Sequence, residues 1–296
     1  MSDILQLSSF PYYPFFSLLS FVWGACIGSF LNVCVFRIPR EISVINPRSF
    51  CPHCSKTIPW HHNIPLVSFL VLRAKCKYCG GRISIRYFLV ELLTAIFFLL
   101  TWLKFGLEPG PRFFGLVPIT DWRLIPIFWL VVSGLILGTF VDFEHLIIPD
   151  RVTLGGIVAG LIFSALVPTL HGHTDRILAL LLSTLGAAMG GALLWTMAVL
   201  GKIMFRKDAM GMGDIKLVAA IGAFFGTKAV LFTIFVSSLI GSVVGITLVL
   251  SRRKSMQSKI PYGPYLALAA VIWMLWGPNL WNVYLDLVTH KTVCMP

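Results

Sequence analysis

The sequence predicts an all-α polytopic membrane protein of about eight transmembrane helices, with a small cytoplasmic loop domain resembling a zinc ribbon. Three observations predict it. Hydrophobic residues make up 57% of the 296 and charged residues only 12%, with a mean hydropathy of +0.86. A soluble domain holds roughly 45–50% apolar and about 25% charged residues, so the bilayer must cover the surplus and is itself a partner. Apolar runs near the ~20 residues that a membrane helix needs recur along the chain. Four cysteines, finally, sit as two CxxC pairs inside one basic loop. The net charge of +12 reads as the excess of Lys and Arg that marks cytoplasmic loops, and no nucleic-acid partner is expected.

The first span runs from Phe15 to Phe36 and ends at Arg37 and Arg40. It is too long, and too poorly flanked by small residues, for a cleaved signal peptide. A polar stretch, Ile38 to Arg86, follows with Arg48, Lys56, Arg73, Lys75, Lys77 and Arg82. Further spans are expected at Tyr87–Leu103, Leu124–Val141, Thr153–Leu170, Ile177–Leu200, Ala229–Leu250 and Tyr262–Trp276. Lys216–Phe225 is short, and Gly226 and Lys228 interrupt its pattern; it is read as the eighth span, followed by a tight turn. With the first loop inside, Lys202, Arg206 and Lys207 fall inside too, as do Arg252, Arg253 and Lys254; both chain ends then face outward. "PRFFGLVPITDWR" and the tail after Trp276 read as short outer connectors. No internal repeat stands out.

The loop carries "CPHC" at Cys51–Cys54 and "CKYCGG" from Cys76 through Cys79. Each CxxC turn aims two thiolates at one point, and two such turns complete a tetrahedron around Zn²⁺. Gly80 and Gly81 let the second turn close without a Cβ clash. A reducing cytoplasm disfavours disulfides, and four thiolates leave no open position, so Cys51, Cys54, Cys76 and Cys79 are expected to hold a structural metal. So small a loop has little core, and metal binding would supply its folding energy. Cys26 and Cys34 read as apolar packing residues; Cys294 has no evident partner. His61 and His62 are surplus as ligands and are expected to face solvent or substrate.

Acidic residues number only 12, and carboxylates at a membrane edge are costly enough to be functional candidates. "FVDFEHLIIPDRVT" carries Asp142, Glu144 and Asp150; "MGMGDIKL" places Asp214 behind Gly211 and Gly213. Two facing aspartates share a proton, because like charges push one pKa up. The charged one then activates water while the protonated one donates to the scissile carbonyl. Pro149 stops a helix entering Asp150, and Asp150 with Thr153 reads as the start of the next helix. Asp142 and Asp214 are therefore the expected catalytic pair. The glycines are expected to ease the turn into the helix and to let a substrate backbone approach. The residues alone reach no further than an aspartyl hydrolase at a membrane edge.

At this point the chain resembles the type IV prepilin peptidase family of bacterial pilus and type II secretion systems. The likeness rests on "GSFLNVCVFRIPR", on "CPHCSKTIPWHHNIPLVSFLVLRAKCKYCGGRISIRYFLVELLTA", on "VDFEHLIIPD" and on "GMGDIKL", spanning about Phe21 to Tyr265. It implies a bifunctional enzyme of the GxGD aspartyl type in the bacterial inner membrane. Such an enzyme removes the basic leader of prepilins or pseudopilins after a glycine, at the cytoplasmic face. It then methylates the new amino terminus from S-adenosylmethionine. The family's catalytic aspartates fall on Asp142 and Asp214, and its zinc-type cysteines on Cys51, Cys54, Cys76 and Cys79. The cysteine loop is the part associated with methylation; Pro47, Trp60, Asn63 and Glu91 are expected to shape it. No G-x-G-x-x-G fingerprint marks a cofactor pocket. "LRAKC" has Ala74 where the family often has glycine, which would stiffen that turn. Glu144 and Asp150 are candidate acidic contacts for the leader.

The expected layout is a first transmembrane helix over 1–37, the four-cysteine domain over 38–86 and the peptidase core over 87–296. Competing readings are a peptidase without methylation, a transporter with ion-binding carboxylates, and an adaptor docking partners through the loop. A transporter of this size would often show a half-and-half repeat, which is not evident.

Overall fold

The computed structural model describes residues 13–106, 121–206, 210–251 and 261–288. They form eight α-helices with no named strand among the described residues: α1 (Tyr13–Arg37), α2 (Val67–Val71), α3 (Ile85–Phe105), α4 (Leu124–His145), α5 (Asp150–Leu166), α6 (Arg176–Phe205), α7 (Met212–Leu250) and α8 (Gly263–Val288). Six of them (α1, α3, α4, α6, α7 and α8) are long and apolar enough to cross a membrane. Lys207, Arg252, Arg253, Lys254 and Cys294 lie outside the described residues, as does most of the connector before Trp122. The chain divides into two compact units, one reaching to Val152 and the other running on from Thr153.

In the first unit, α1 and α3 approach closely because Gly24 and Gly28 present no side chain. A Cβ at Gly24 would stand 2.8 Å from Ala95 Cα, and one at Gly28 would stand 2.7 Å from Glu91 Cα. Small residues one helical turn apart admit this approach inside a bilayer. The pair is also clasped by polar groups: Asn32 Nδ2 donates to Tyr87 O at 2.9 Å and Trp102 Nε1 to Ser17 Oγ at 3.1 Å. Between α3 and α4, Phe98 stacks on Trp129 with centroids 4.9 Å apart, and Trp129 Nε1 donates to Phe98 O. Arg86 at the start of α3 pairs with Glu144 at the end of α4. Leu18, Trp23 and Phe30 remain exposed along α1, as lipid-facing residues do.

In the second unit, α6 and α7 meet through Gly186, Gly190 and Gly222. A Cβ at Gly190 would lie 2.7 Å from Val218 O, and Gly186 and Gly222 oppose one another directly. The expected segments Lys216–Phe225 and Ala229–Leu250 form the single element α7, 39 residues long. A straight helix of that length would span about 58 Å against a ~30 Å hydrocarbon core. The expected interruption is present: Gly226 has φ 77° and ψ −174°, a region essentially restricted to glycine. Ala223 O lies just before the break and takes bonds from outside its helix. Ser183 Oγ donates to it at 2.7 Å and the His171 ring bonds it as well, with His171 Nε2 held 2.9 Å from Ser164 Oγ.

Two elements depart from expectation. The span expected over Thr153–Leu170 is the 17-residue α5, followed by a 3-10 turn, Pro168–His171. Beyond Trp276, where a connector was expected, α8 continues through Pro278 to Val288. Proline is tolerated in membrane helices where neighbours re-satisfy the freed backbone groups, and Gly277 leaves room for the Trp273 ring to fold over it.

Candidate functional site: a four-cysteine centre, the cavity beside it and two helix-end aspartates

The two cysteine turns are built alike. In the first, Cys51 N–H donates to Lys56 O at 3.0 Å and Ser55 N–H to Cys51 O at 2.8 Å. In the second, Cys76 N–H donates to Gly81 O at 2.8 Å and Gly80 N–H to Cys76 O at 2.9 Å. An isolated antiparallel bridge closes each, Phe50 with Thr57 and Lys75 with Arg82. The fifth residue of each turn is left-handed: Ser55 at φ 55° and Gly80 at φ 69°. Glycine meets that demand freely at position 80, as its sequence context implied, while Ser55 meets it with a side chain attached.

This shared geometry brings the four sulfurs within 4.8 Å of one another, with Cys51 Sγ and Cys79 Sγ 3.9 Å apart. A tetrahedron with metal–sulfur bonds of about 2.3 Å has edges of about 3.8 Å, whereas a disulfide needs about 2.05 Å. The four thiols thus fit a tetrahedral divalent metal and are not bonded in pairs. Backbone N–H groups of Cys79 and Tyr78 hold the Cys76 thiol down at about 6. Cys79 accepts a bond from Gly81 N–H that favours its thiolate, yet desolvation and the neighbouring sulfurs push it up to about 11. Four crowded sulfurs cannot all ionise without a cation among them.

Beneath the cysteine turns lies a cavity of about 320 Å³ walled by α1, α3 and the loop, with Cys51 and Cys76 in its lining. Its floor is polar. Asn32 is 2% exposed and lines the cavity; its Nδ2 is fixed on Tyr87 O, and its Oδ1 is enclosed with no hydrogen-bond partner. Glu91 is 8% exposed, and its Oε2 accepts from Leu66 N–H at 2.7 Å. Leu66 sits at φ 62° and ψ −49°, a conformation that costs a non-glycine residue about 1–3 kcal/mol. Arg37 is buried too, donating to Ser43 O and Pro47 O, so it ties down the chain entering the loop.

Of the residues expected to shape the loop's activity, Asn63 and Glu91 line the cavity, Pro47 borders an adjoining depression and Trp60 is 75% exposed. His62 lines the cavity as well; desolvation, then His61 and Lys77, lower its pKa. Sequence reasoning passed over Asn32. Its signal was available: an amide inside an otherwise apolar span.

The aspartates occupy helix ends. Asp142 lies in the last turn of α4 and is buried; the helix closes as Leu146, at φ 54°, donates its N–H to Asp142 O at 2.9 Å. Pro149 follows and α5 begins at Asp150, so Asp150 opens a helix as expected. Glu144 is engaged by Arg86. In the second unit Asp214 is half-buried in the first turn of α7, behind Gly211 as N-cap. Gly211 has φ −74° and ψ 145°, and Gly213 is not among the positive-φ glycines. Neither therefore needs glycine's conformational freedom. At Gly211 a Cβ would meet Asp214 Oδ2 at 3.4 Å, an ordinary van der Waals contact.

Membrane-length helices, a thiol cluster shaped for a metal and aspartates at helix ends define a polytopic membrane protein with an enzyme's equipment. Residues 22–105 match the family model of the bacterial peptidase A24 N-terminal domain, and residues 129–246 match that of the type IV leader peptidase family. The chain belongs to the type IV leader peptidase family. A relative from Aeromonas hydrophila, named prepilin leader peptidase/N-methyltransferase, is 35% identical over 96% of this chain and 99% of its own. Proteins of the same name from Myxococcus xanthus and Neisseria gonorrhoeae are 38% and 33% identical, covering 82% and 98% of this chain and 67% and 99% of their own. No solved structure matches the chain.

Proposed function

We propose that this protein is an aspartic endopeptidase and N-methyltransferase of the bacterial inner membrane. It removes the leader of type IV prepilins or pseudopilins after a glycine, at the cytoplasmic face, and methylates the amino terminus so exposed. The observation that carries the reading is likeness over 96% of the chain to a relative whose name holds both activities.

In the cleavage step Asp142 and Asp214 supply the acid–base pair. One carboxylate takes a proton from water as it attacks the carbonyl carbon, and the other carboxyl protonates the departing amine. Residues 1–37, 38–86 and 87–296 serve as anchor helix, metal-bearing loop and peptidase core. Cys51, Cys54, Cys76 and Cys79 hold Zn²⁺, which stabilises the loop and leaves no coordination position for substrate. S-adenosylmethionine, when bound, supplies an electrophilic methyl group. The new terminus would have to be held there as a neutral amine, since a protonated one has no lone pair to offer.

The test is incubation of the purified protein with a membrane-embedded prepilin, read by mass spectrometry of the product. The expected product begins after the glycine and carries one added methyl on its terminus. An uncleaved substrate would refute the peptidase, and a cleaved but unmethylated one would leave a peptidase alone.

A further inference from the structure

We propose that residues 57–72 of the cysteine loop, with α2 at their heart, lie in the headgroup–acyl boundary of the bilayer and dock the loop on an anionic leaflet. Lys and Arg recur through the loop from Arg40 to Arg86, yet residues 57–72 hold no Lys, Arg, Asp or Glu. Within that run Trp60, Val67, Leu70 and Val71 are each more than half exposed. The spacing of the last three, i, i+3 and i+4, puts them on one face of α2. On its other side Phe69 sets its ring 5.3 Å from that of Phe88, and Ser68 and Leu72 line the cavity. A helix apolar all round belongs in a place covered all round; the protein covers α2 on one side.

Depth indicates what covers the other. With 21 residues α3 is about 32 Å long, close to the ~30 Å hydrocarbon core, so its first turns stand at the boundary of that core. There α2 is pinned beside them: Leu66 N–H donates to Glu91, and Phe69 meets Phe88. These partners lie about 5 and 9 Å along α3 from its start at Ile85, and an interfacial segment buries its apolar face by about 5–10 Å. Ile85 and Leu89, exposed on the same turns of α3, continue the lipid-facing surface at that level. Charge points the same way. The exposed Lys56 precedes the run and the exposed Arg73, Lys75 and Lys77 follow it, and cations flanking an apolar face suit anionic headgroups. Tryptophan, at position 60, is a side chain that membrane–water boundaries favour. A second copy of the chain would instead bring these cations against their own kind, which like charge opposes. Docking of this sort depends on neither activity proposed above; it holds the metal-bearing loop at a fixed height on the leaflet.

The experiment uses the full-length protein, one copy per nanodisc, in phosphatidylglycerol mixed equally with phosphatidylcholine that carries a diazirine on its acyl chain near the headgroup. One copy per disc removes a second chain as the cover. After irradiation, trypsin cuts behind Lys56 and Arg73 and releases residues 57–73 as one peptide. The label is expected on that peptide and on α3; in discs of phosphatidylcholine alone the peptide should carry less, and α3 the same. Leu70→Asp with Val71→Asp should strip the label from the peptide while α3 labelling and metal content persist. An unlabelled peptide 57–73 from the unaltered protein overturns the proposal, whether or not the variant folds. Equal labelling of the peptide in both kinds of disc overturns the anionic partner. Shielding of residues 57–72 from a water-soluble carbene that appears only when a prepilin is added would give the face to substrate, and overturns the proposal too.

Discussion

Asp142 closes one helix and Asp214 opens another, so each carboxyl is carried on backbone that its own helix holds still. General acid and base groups each contribute about 10²–10⁴-fold. Asp142→Asn and Asp214→Asn are each expected to slow leader cleavage by about that factor, measured as initial rate on purified prepilin, while methylation of an already cleaved pilin continues. A second residue-scale prediction concerns pH. Burial lowers the pKa of His171, assisted by nearby His173, although its bond to Ala223 opposes this. The folded state therefore binds a proton less readily than the unfolded chain, whose histidine titrates near 6.5. Stability is full above that pH and falls as the pH drops through it. Amide exchange at residues 168–171 and 223–227 should be faster at pH 5.5 than at 7.5, and His171→Gln should flatten the difference. At this scale the sequence was most legible where spacing itself carries chemistry, as in the paired CxxC turns. It was less legible at Asn32: an amide in an apolar span stands out, but its bond to Tyr87 O shows only in the fold. Ala74 falls between: the family's usual glycine hinted at a special backbone, and the structure gives Ala74 φ 55°.

At the scale of elements, helices formed where apolar runs exceeded about 18 residues, because only a helix satisfies its own backbone in lipid. One boundary failed: the stretch after Trp276, expected as a connector, is helix through Val288. Pro278 did not end α8, since a membrane helix loses little by one missing bond that its neighbours repair. Gly226 did interrupt α7, because its backbone occupies a region other residues avoid. Gly226→Ala is expected to destabilise the protein by about 1–3 kcal/mol, and a thermal melt in detergent measures it. Added bulk is not the cause there, since the nearest atom to a Cβ would be His171 Nδ1 at 3.5 Å. A melt unchanged by the substitution would show that the break is carried by its neighbours.

Over the whole molecule, the class of fold was legible because composition alone demands a bilayer. The pairing of helices was not, because contacts such as Gly190 against Val218 depend on which faces meet rather than on periodicity. The cysteine loop depends on the cluster instead of a core of its own: between Phe50 and Arg82 only Cys51 is fully buried among the apolar residues. Removing the metal with a strong chelator is expected to raise amide exchange across residues 50–82 and to leave α6 and α7 protected, as read by hydrogen-exchange mass spectrometry. Uniform loss of protection would mean that the helices, too, need the metal.

The Asn32 amide works both for and against the helix pair that holds it. Its Nδ2 ties α1 to Tyr87 O while its enclosed Oδ1 meets no donor, so one half of the group gives back part of what the other half contributes. Leucine there would shed the unmet acceptor and the tie together, leaving α1 and α3 joined by the close approach at Gly24 and Gly28 and by the Trp102–Ser17 bond.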